Sequence, residues 1–209
     1  MLSGEVRIKF SKTGKVKFIS HLDLCRTFRT AFIRAGIPIW YSQGFNPHPK
    51  MVFATTVSVG SESLTELLDI KITSPMEEEE LRSRLNAELT KDIDIIEVYE
   101  PATPFADLRW AEYVVTFDGE VDEGKLTSLL SEPLCVEKMT KKGVKTIDIL
   151  PKIKQASARG NELTCILAAS QTDALGPDVF VKGITPAVSG DLVSLVRTKL
   201  YKEDMSEFK

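Results

Sequence analysis

Glu5-Val-Arg-Ile-Lys-Phe10-Ser-Lys-Thr-Gly14-Lys-Val-Lys-Phe18-Ile-Ser-His-Leu-Asp23 is the stretch on which the fold turns. Val6, Ile8 and Phe10 alternate with Arg7 and Lys9, the period of a strand with one buried face. After Ser11-Lys-Thr-Gly14 the alternation resumes with Val16 and Phe18 against Lys15 and Lys17, so the pattern predicts strand, turn, strand with four cations sharing one face. Ser20-His21-Leu22-Asp23 then has the form of an N-cap followed three residues later by an acid. It opens an expected helix to about Ala35, ended by Gly36, with Cys25, Phe28, Phe32 and Ala35 on the buried stripe and Arg26, Arg29 and Arg34 outside.

Working outward, extended segments are expected at 37–41, 51–59 and 67–73. Pro75 and the acidic run Glu77–Glu80 start a helix carrying Leu81, Leu85 and Leu89, its acids placed where the helix dipole favours them. A strand over 92–99 completes β-α-β-β-α-β, the ferredoxin-like order. Pro101-Ala-Thr-Pro104-Phe-Ala-Asp-Leu108 is proline-punctuated and aperiodic, and reads as a linker. Beyond it come strands at 112–117, 134–139, 145–154, 162–169 and 192–201, with helices near 123–131 and 177–183. The expectation is an α+β chain of two tandem ferredoxin-like domains, 1–101 and 109–209, the second bearing a basic hairpin.

The charge is segregated. The chain carries 27 Lys and Arg against 30 Asp and Glu, a net charge of −3. Residues 1–60 nevertheless hold nine of the bases and only two acids, Glu5 and Asp23, whereas 61–110 is strongly acidic. Lys138, Lys141, Lys142, Lys145, Lys152, Lys154 and Arg159 against Asp148 form a second basic block. A local potential of this kind can meet a polyanion despite the acidic total. Tyr41-Ser-Gln-Gly-Phe-Asn-Pro-His-Pro-Lys50 adds a loop in which Pro47 and Pro49 fix the backbone around His48, setting an imidazole, two aromatics and an ammonium in one rigid segment.

Other chemistries lose their usual supports. There is no phosphate-cradling glycine loop with its Lys-Ser or Lys-Thr, no dinucleotide fingerprint and no H-E-x-x-H. Cys25, Cys135 and Cys165 are widely spaced and never form C-x-x-C, and two histidines cannot make a histidine-rich site, so neither metal nor cofactor is expected. No apolar run of about 18 residues and no basic-then-apolar leader is found, which predicts a cytoplasmic protein without a membrane span.

Phe10-Ser-Lys-Thr-Gly14, Lys17-Phe-Ile-Ser-His-Leu-Asp-Leu24, Tyr41 to Lys50 and Val59-Gly-Ser-Glu-Ser63 together resemble the bacterial radical-SAM-linked protein family. Lys142-Gly-Val-Lys145 and Ile147-Asp-Ile-Leu-Pro151 resemble its C-terminal part. The resemblance implies a domain encoded beside, or fused to, a cobalamin-binding-type radical SAM protein, near ribonuclease and ribosomal-protein genes. The chain lacks a cysteine triad able to hold the radical SAM cluster, so it resembles the associated protein and not the catalyst. Its tandem layout and helix-start histidine are also similar to CRISPR repeat-processing endoribonucleases.

The functional expectation is an RNA-binding accessory that presents RNA or ribonucleoprotein to a radical SAM modification enzyme. Arg7, Lys9, Lys15, Lys17, Arg26, Arg29 and Lys50 would hold phosphates, and Tyr41, Phe45 and His48 an unpaired base. One alternative is a metal-independent endoribonuclease using His21 and His48 with Tyr41. Another is a protein-only adaptor for the radical SAM partner.

Overall fold

A computed structural model describes residues 1–140 and 143–209. The chain is α+β and divides into two compact units, Met1–Phe105 with Lys209, and Ala106–Phe208.

The first unit runs β1 (Leu2–Lys12), a 3-10 turn (Gly14–Phe18), α1 (His21–Arg34), β2 (Met51–Phe53), β3 (Glu62–Met76), α2 (Glu78–Glu88) and β4 (Ile93–Tyr99). Its sheet is ordered β4-β1-β3-β2 with every pairing antiparallel. Val6, Ile8 and Phe10 of β1 meet Leu24, Phe28 and Phe32 of α1 and Leu81 and Leu85 of α2 in one core. Phe10 packs edge-on against Phe28 with centroids 4.7 Å apart, and such aromatic pairs add roughly 0.5–1.5 kcal/mol beyond the area they bury. Asn86 in α2 secures the start of β4, its side-chain amide bonding both the N–H and the C=O of Ile95 at 2.7 and 3.1 Å.

Four local expectations are corrected. Residues 15–18 form a 3-10 turn instead of a second strand, and Phe18 is 64% exposed. Two alternating pairs are too few to separate a strand from a turn, and here long-range bonds decide. Asp92 accepts Thr13 N–H on its backbone oxygen and Lys15 N–H on its carboxylate. Gly14 lies at φ +55°, and a Cβ there would fall 2.7 Å from Asp92 Cγ, so this corner needs glycine. On α1 the buried stripe is Leu24, Phe28, Ala31 and Phe32, with Cys25 half-buried at its margin. Residues 37–41 contribute only isolated bridges, Ile39 to Ile72 and Tyr41 to Pro49, and Pro75 belongs to the end of β3 instead of the start of α2.

The second unit runs β5 (Trp110–Phe117), α3 (Glu123–Leu129), β6 (Cys135–Thr140), β7 (Gly143–Asp148), β8 (Ile153–Arg159), β9 (Glu162–Ala168), α4 (Pro177–Ile184) and β10 (Leu192–Tyr201). Its main sheet is ordered β10-β5-β9-β8, and β6 pairs with β7 as a separate two-stranded sheet. With that hairpin set aside, both units place their strands in the order last, first, third, second. The single strand expected at 145–154 is two strands, β7 and β8, parted by a 3-10 turn at Leu150–Lys152. Pro151 in that turn has no N–H to give a ladder. Lys141 and Lys142 of the second basic block lie outside the described residues. Among the described residues no helix is long and apolar enough to cross a membrane.

Candidate nucleic-acid interface

The β1 cations do not form an open basic face. Arg7, read from the sequence as a phosphate ligand, is 1% exposed. Its Nε and Nη2 donate to the two carboxylate oxygens of Asp69, both at 2.7 Å, and Phe105 covers the guanidinium with its centroid 4.1 Å from Cζ. The cause is register, because Arg7 stands directly across from Asp69 on β3. Lys9, half-buried, stands across from Glu97 on β4. Alternation placed these side chains away from the core, but neighbouring strands supplied acids, and Arg7 leaves the set of accessible RNA ligands.

The exposed cations lie instead on the 3-10 turn and α1. Lys15 and Arg29 are exposed and make no ion pair among the described residues. Lys17 pairs with Glu62 at 3.1 Å, and its ammonium lies 5.5 Å from the exposed ring of Phe18. Arg26 pairs with Asp23 at 3.0 Å and Arg34 with Glu88 at 3.4 Å. These four side chains, with Thr27, Thr30 and Thr90, line an open groove of about 390 Å³. Exposed pairs of this kind contribute only about 0–1 kcal/mol, so their cations are readily lent to a phosphate.

The start of α1 is capped by residues other than its histidine. Ser20 Oγ accepts the Asp23 N–H at 3.1 Å and donates to the Asp23 carboxylate at 2.7 Å. That hydroxyl, and then Arg26, hold the Asp23 carboxyl below its ordinary range. His21 is left exposed, its ring edge-on to Phe53 with centroids 5.0 Å apart and Nε2 3.6 Å from Cys25 Sγ. Partial burial pushes the Cys25 thiol up, toward the neutral form. Leu22 and Val59 are exposed close by, where Gly60 N–H donates to Lys17 O at 2.8 Å.

The Pro-His-Pro segment is a clasped loop. Ser42 N–H donates to His48 O at 2.9 Å, His48 N–H donates to Ser42 Oγ at 3.1 Å, and His48 Nδ1 lies 3.0 Å from the same hydroxyl. Phe45 stands fully in solvent at the tip. Tyr41 is half-buried against the core, where it anchors the loop instead of presenting a ring, and Lys50 Nζ is bound by Glu5.

No hydrogen bond or ring contact joins His21 to His48 among the described residues. Lys50 is tied to Glu5, whereas Phe53, the platform of His21, packs on Phe10. Phe53, Asp92 and Phe105 escaped the sequence reading because each acts on a residue distant in the chain, and Ser42 escaped although it clasps His48 only six residues on. Exposed Phe18 escaped because it continued an apolar alternation.

A family profile matches residues 5–177, from within β1 to the first residue of α4. The chain belongs to DUF2344, described as an uncharacterized protein conserved in bacteria. The DUF2344 match takes in the 3-10 turn, α1 and the clasped loop. No curated protein matches the chain. Among solved structures, the crystal structure of a Cbf5-Nop10-Gar1 complex is similar with a TM-score of 0.44 at 12% identity, over 95% of this chain and 50% of that one. The DUF2344 chain thus spans about half the length of that chain.

Proposed function

We propose that this chain is a non-catalytic RNA-binding accessory of two ferredoxin-like domains that presents an RNA or ribonucleoprotein substrate to a radical SAM modification enzyme. One observation carries the RNA part. Exposed Phe18 shares a 3-10 turn with Lys17 and with Lys15, which makes no ion pair among the described residues, beside exposed His21. Aromatic faces stack unpaired bases while cations hold the flanking phosphates. The radical SAM partner rests on the sequence resemblance in the first half of the chain, which includes the clasped loop. The lack of any hydrogen bond or ring contact between His21 and His48 among the described residues favours this reading over the nuclease, whose acid and base must reach one phosphodiester.

The test is crosslinking in the native cell with sequencing of bound RNA and identification of bound protein. The expected result is one RNA class recovered together with a radical SAM protein. RNA cleaved to a 2′,3′-cyclic phosphate, with cleavage lost in His21→Ala, would replace the reading with the nuclease. Protein recovered without RNA would replace it with the adaptor.

A further inference from the structure

We propose that the groove between α1 and the end of α2 reads a ribose 2′-hydroxyl, with Glu88 as its acceptor, so that this surface selects RNA over DNA; the inference rests on the RNA reading and adds the sugar to it. Arg26, Thr30 and Arg34 follow one another at four-residue spacing, which sets them along one face of α1. Glu88, the last residue of α2, and Thr90 line the same groove.

The groove is balanced in charge. Asp23 pairs with Arg26 and Glu88 with Arg34, so it offers a phosphate less than the 3-10 turn does. The two carboxylates differ in what is left to them when a phosphate draws their arginines away. Asp23 keeps the Ser20 hydroxyl, which donates to it at 2.7 Å. Glu88 keeps no donor. Half-buried, its side chain makes no hydrogen bond among the described residues and has only the 3.4 Å ion pair with Arg34. The exposed hydroxyls of Thr30 and Thr90 are likewise without a hydrogen bond among the described residues.

A carboxylate accepts and never donates, so the group that completes Glu88 is a donor. A 2′-hydroxyl donates one bond and accepts others, which suits a carboxylate with two threonine hydroxyls in the same groove, and it is the group by which a protein tells RNA from DNA. A deoxyribose brings the phosphate to Glu88 without that donor, and the two negative charges then oppose each other. At about 100° per residue, Arg29 falls on the arc of α1 between His21 and Thr30. It is exposed and makes no ion pair among the described residues, so a strand crossing from the Phe18 turn to the groove keeps a cation beneath it.

A base amino group would also donate to Glu88, and the experiment excludes it by changing the sugar alone. A short fluorescein-labelled single strand of mixed sequence is titrated with the full chain by anisotropy in three forms that differ only at the 2′ position: hydroxyl, fluorine, which keeps the sugar's shape but cannot donate, and hydrogen. The expected result is that the hydroxyl form binds about tenfold tighter than the other two. Glu88→Ala is expected to bring the three within about threefold, mainly by strengthening the forms that lack the hydroxyl. Thr30→Val, on an exposed helix position, is expected to narrow the preference as well, and serves should Glu88→Ala fail to fold. Equal binding of the hydroxyl and fluorine forms overturns the proposal. So does a Glu88→Ala protein that gains equally on all three, which is removal of a negative charge and nothing more. Lys15→Glu with Lys17→Glu is expected to weaken all three in proportion and leave the preference unchanged. No saturable binding of any form removes the RNA reading and this one with it, whereas equal binding of all three removes this one alone.

Discussion

Arg7 on β1 and Lys15 on the turn after it belong to one basic stretch, yet one is sealed against an aspartate and the other stands in water. The difference teaches that the sign of a side chain does not decide whether it serves stability or recognition. The strand fixes Arg7 opposite Asp69, where its charge is spent inside the protein. Among the described residues no acid pairs with the Lys15 ammonium, and Asp92 accepts its backbone N–H.

The largest effect lies on the sealed side. Arg7→Ala or Asp69→Ala leaves a buried charge without its partner and is expected to cost about 3–5 kcal/mol in urea unfolding. Arg7→Met with Asp69→Leu is expected to recover most of it. A single mutant with the wild-type midpoint would show that the pair is not the anchor described here.

The open side answers through binding. Lys15→Glu with Lys17→Glu is expected to reduce RNA affinity on every sequence and to lower the slope of log K against log salt by about 1–2, with less than about 1 kcal/mol lost in stability. An unchanged slope in filter binding would remove these lysines from the interface.

A smaller effect is expected between the two, at the α1 cap. Ser20→Ala is expected to cost about 1 kcal/mol. Since Asp23 is held below its ordinary pKa of 3.8 in the folded protein, its contribution is full above the unfolded value and disappears as pH falls through the folded one. Asp23→Asn is therefore expected to flatten the acid limb of the stability profile below about pH 4, and thermal melts across that range would reveal an unaltered limb if the cap were idle.

The smallest stability effect belongs to the loop. Phe45→Ala and His48→Ala are expected to shift unfolding by no more than about 0.5 kcal/mol, while either one weakens RNA or partner binding. A large fall in melting temperature would mean that the loop is part of the core.

Much of the first unit was legible because its pattern is local. Val6, Ile8 and Phe10 announce a strand, Ser20 and Asp23 a cap, and Leu81 and Leu85 a buried helix face, each within a few residues. What escaped depends on distant partners. The burial of Arg7 is set by Asp69, 62 residues on, and the turn at 14–18 by Asp92, more than 70 residues on. Phe18 was misassigned for a related reason, since an apolar residue in a short alternation looks the same whether it is buried or offered to a ligand. The candidate site was legible in its residue types, and its layout was not.

The corner at Gly14 carries a consequence for ancestry. A carboxylate at 92 and a side chain at 14 compete for the same space, and the glycine's backbone is one that other residues adopt at a cost. The two positions are thus tied as one inherited character. A lineage that replaces Gly14 gains by trading Asp92 as well, and a lineage that first loses Asp92 still meets the backbone cost at 14. Joint change at this pair across relatives would date when the present form of the exposed turn arose, even where the lysines beside it have been exchanged.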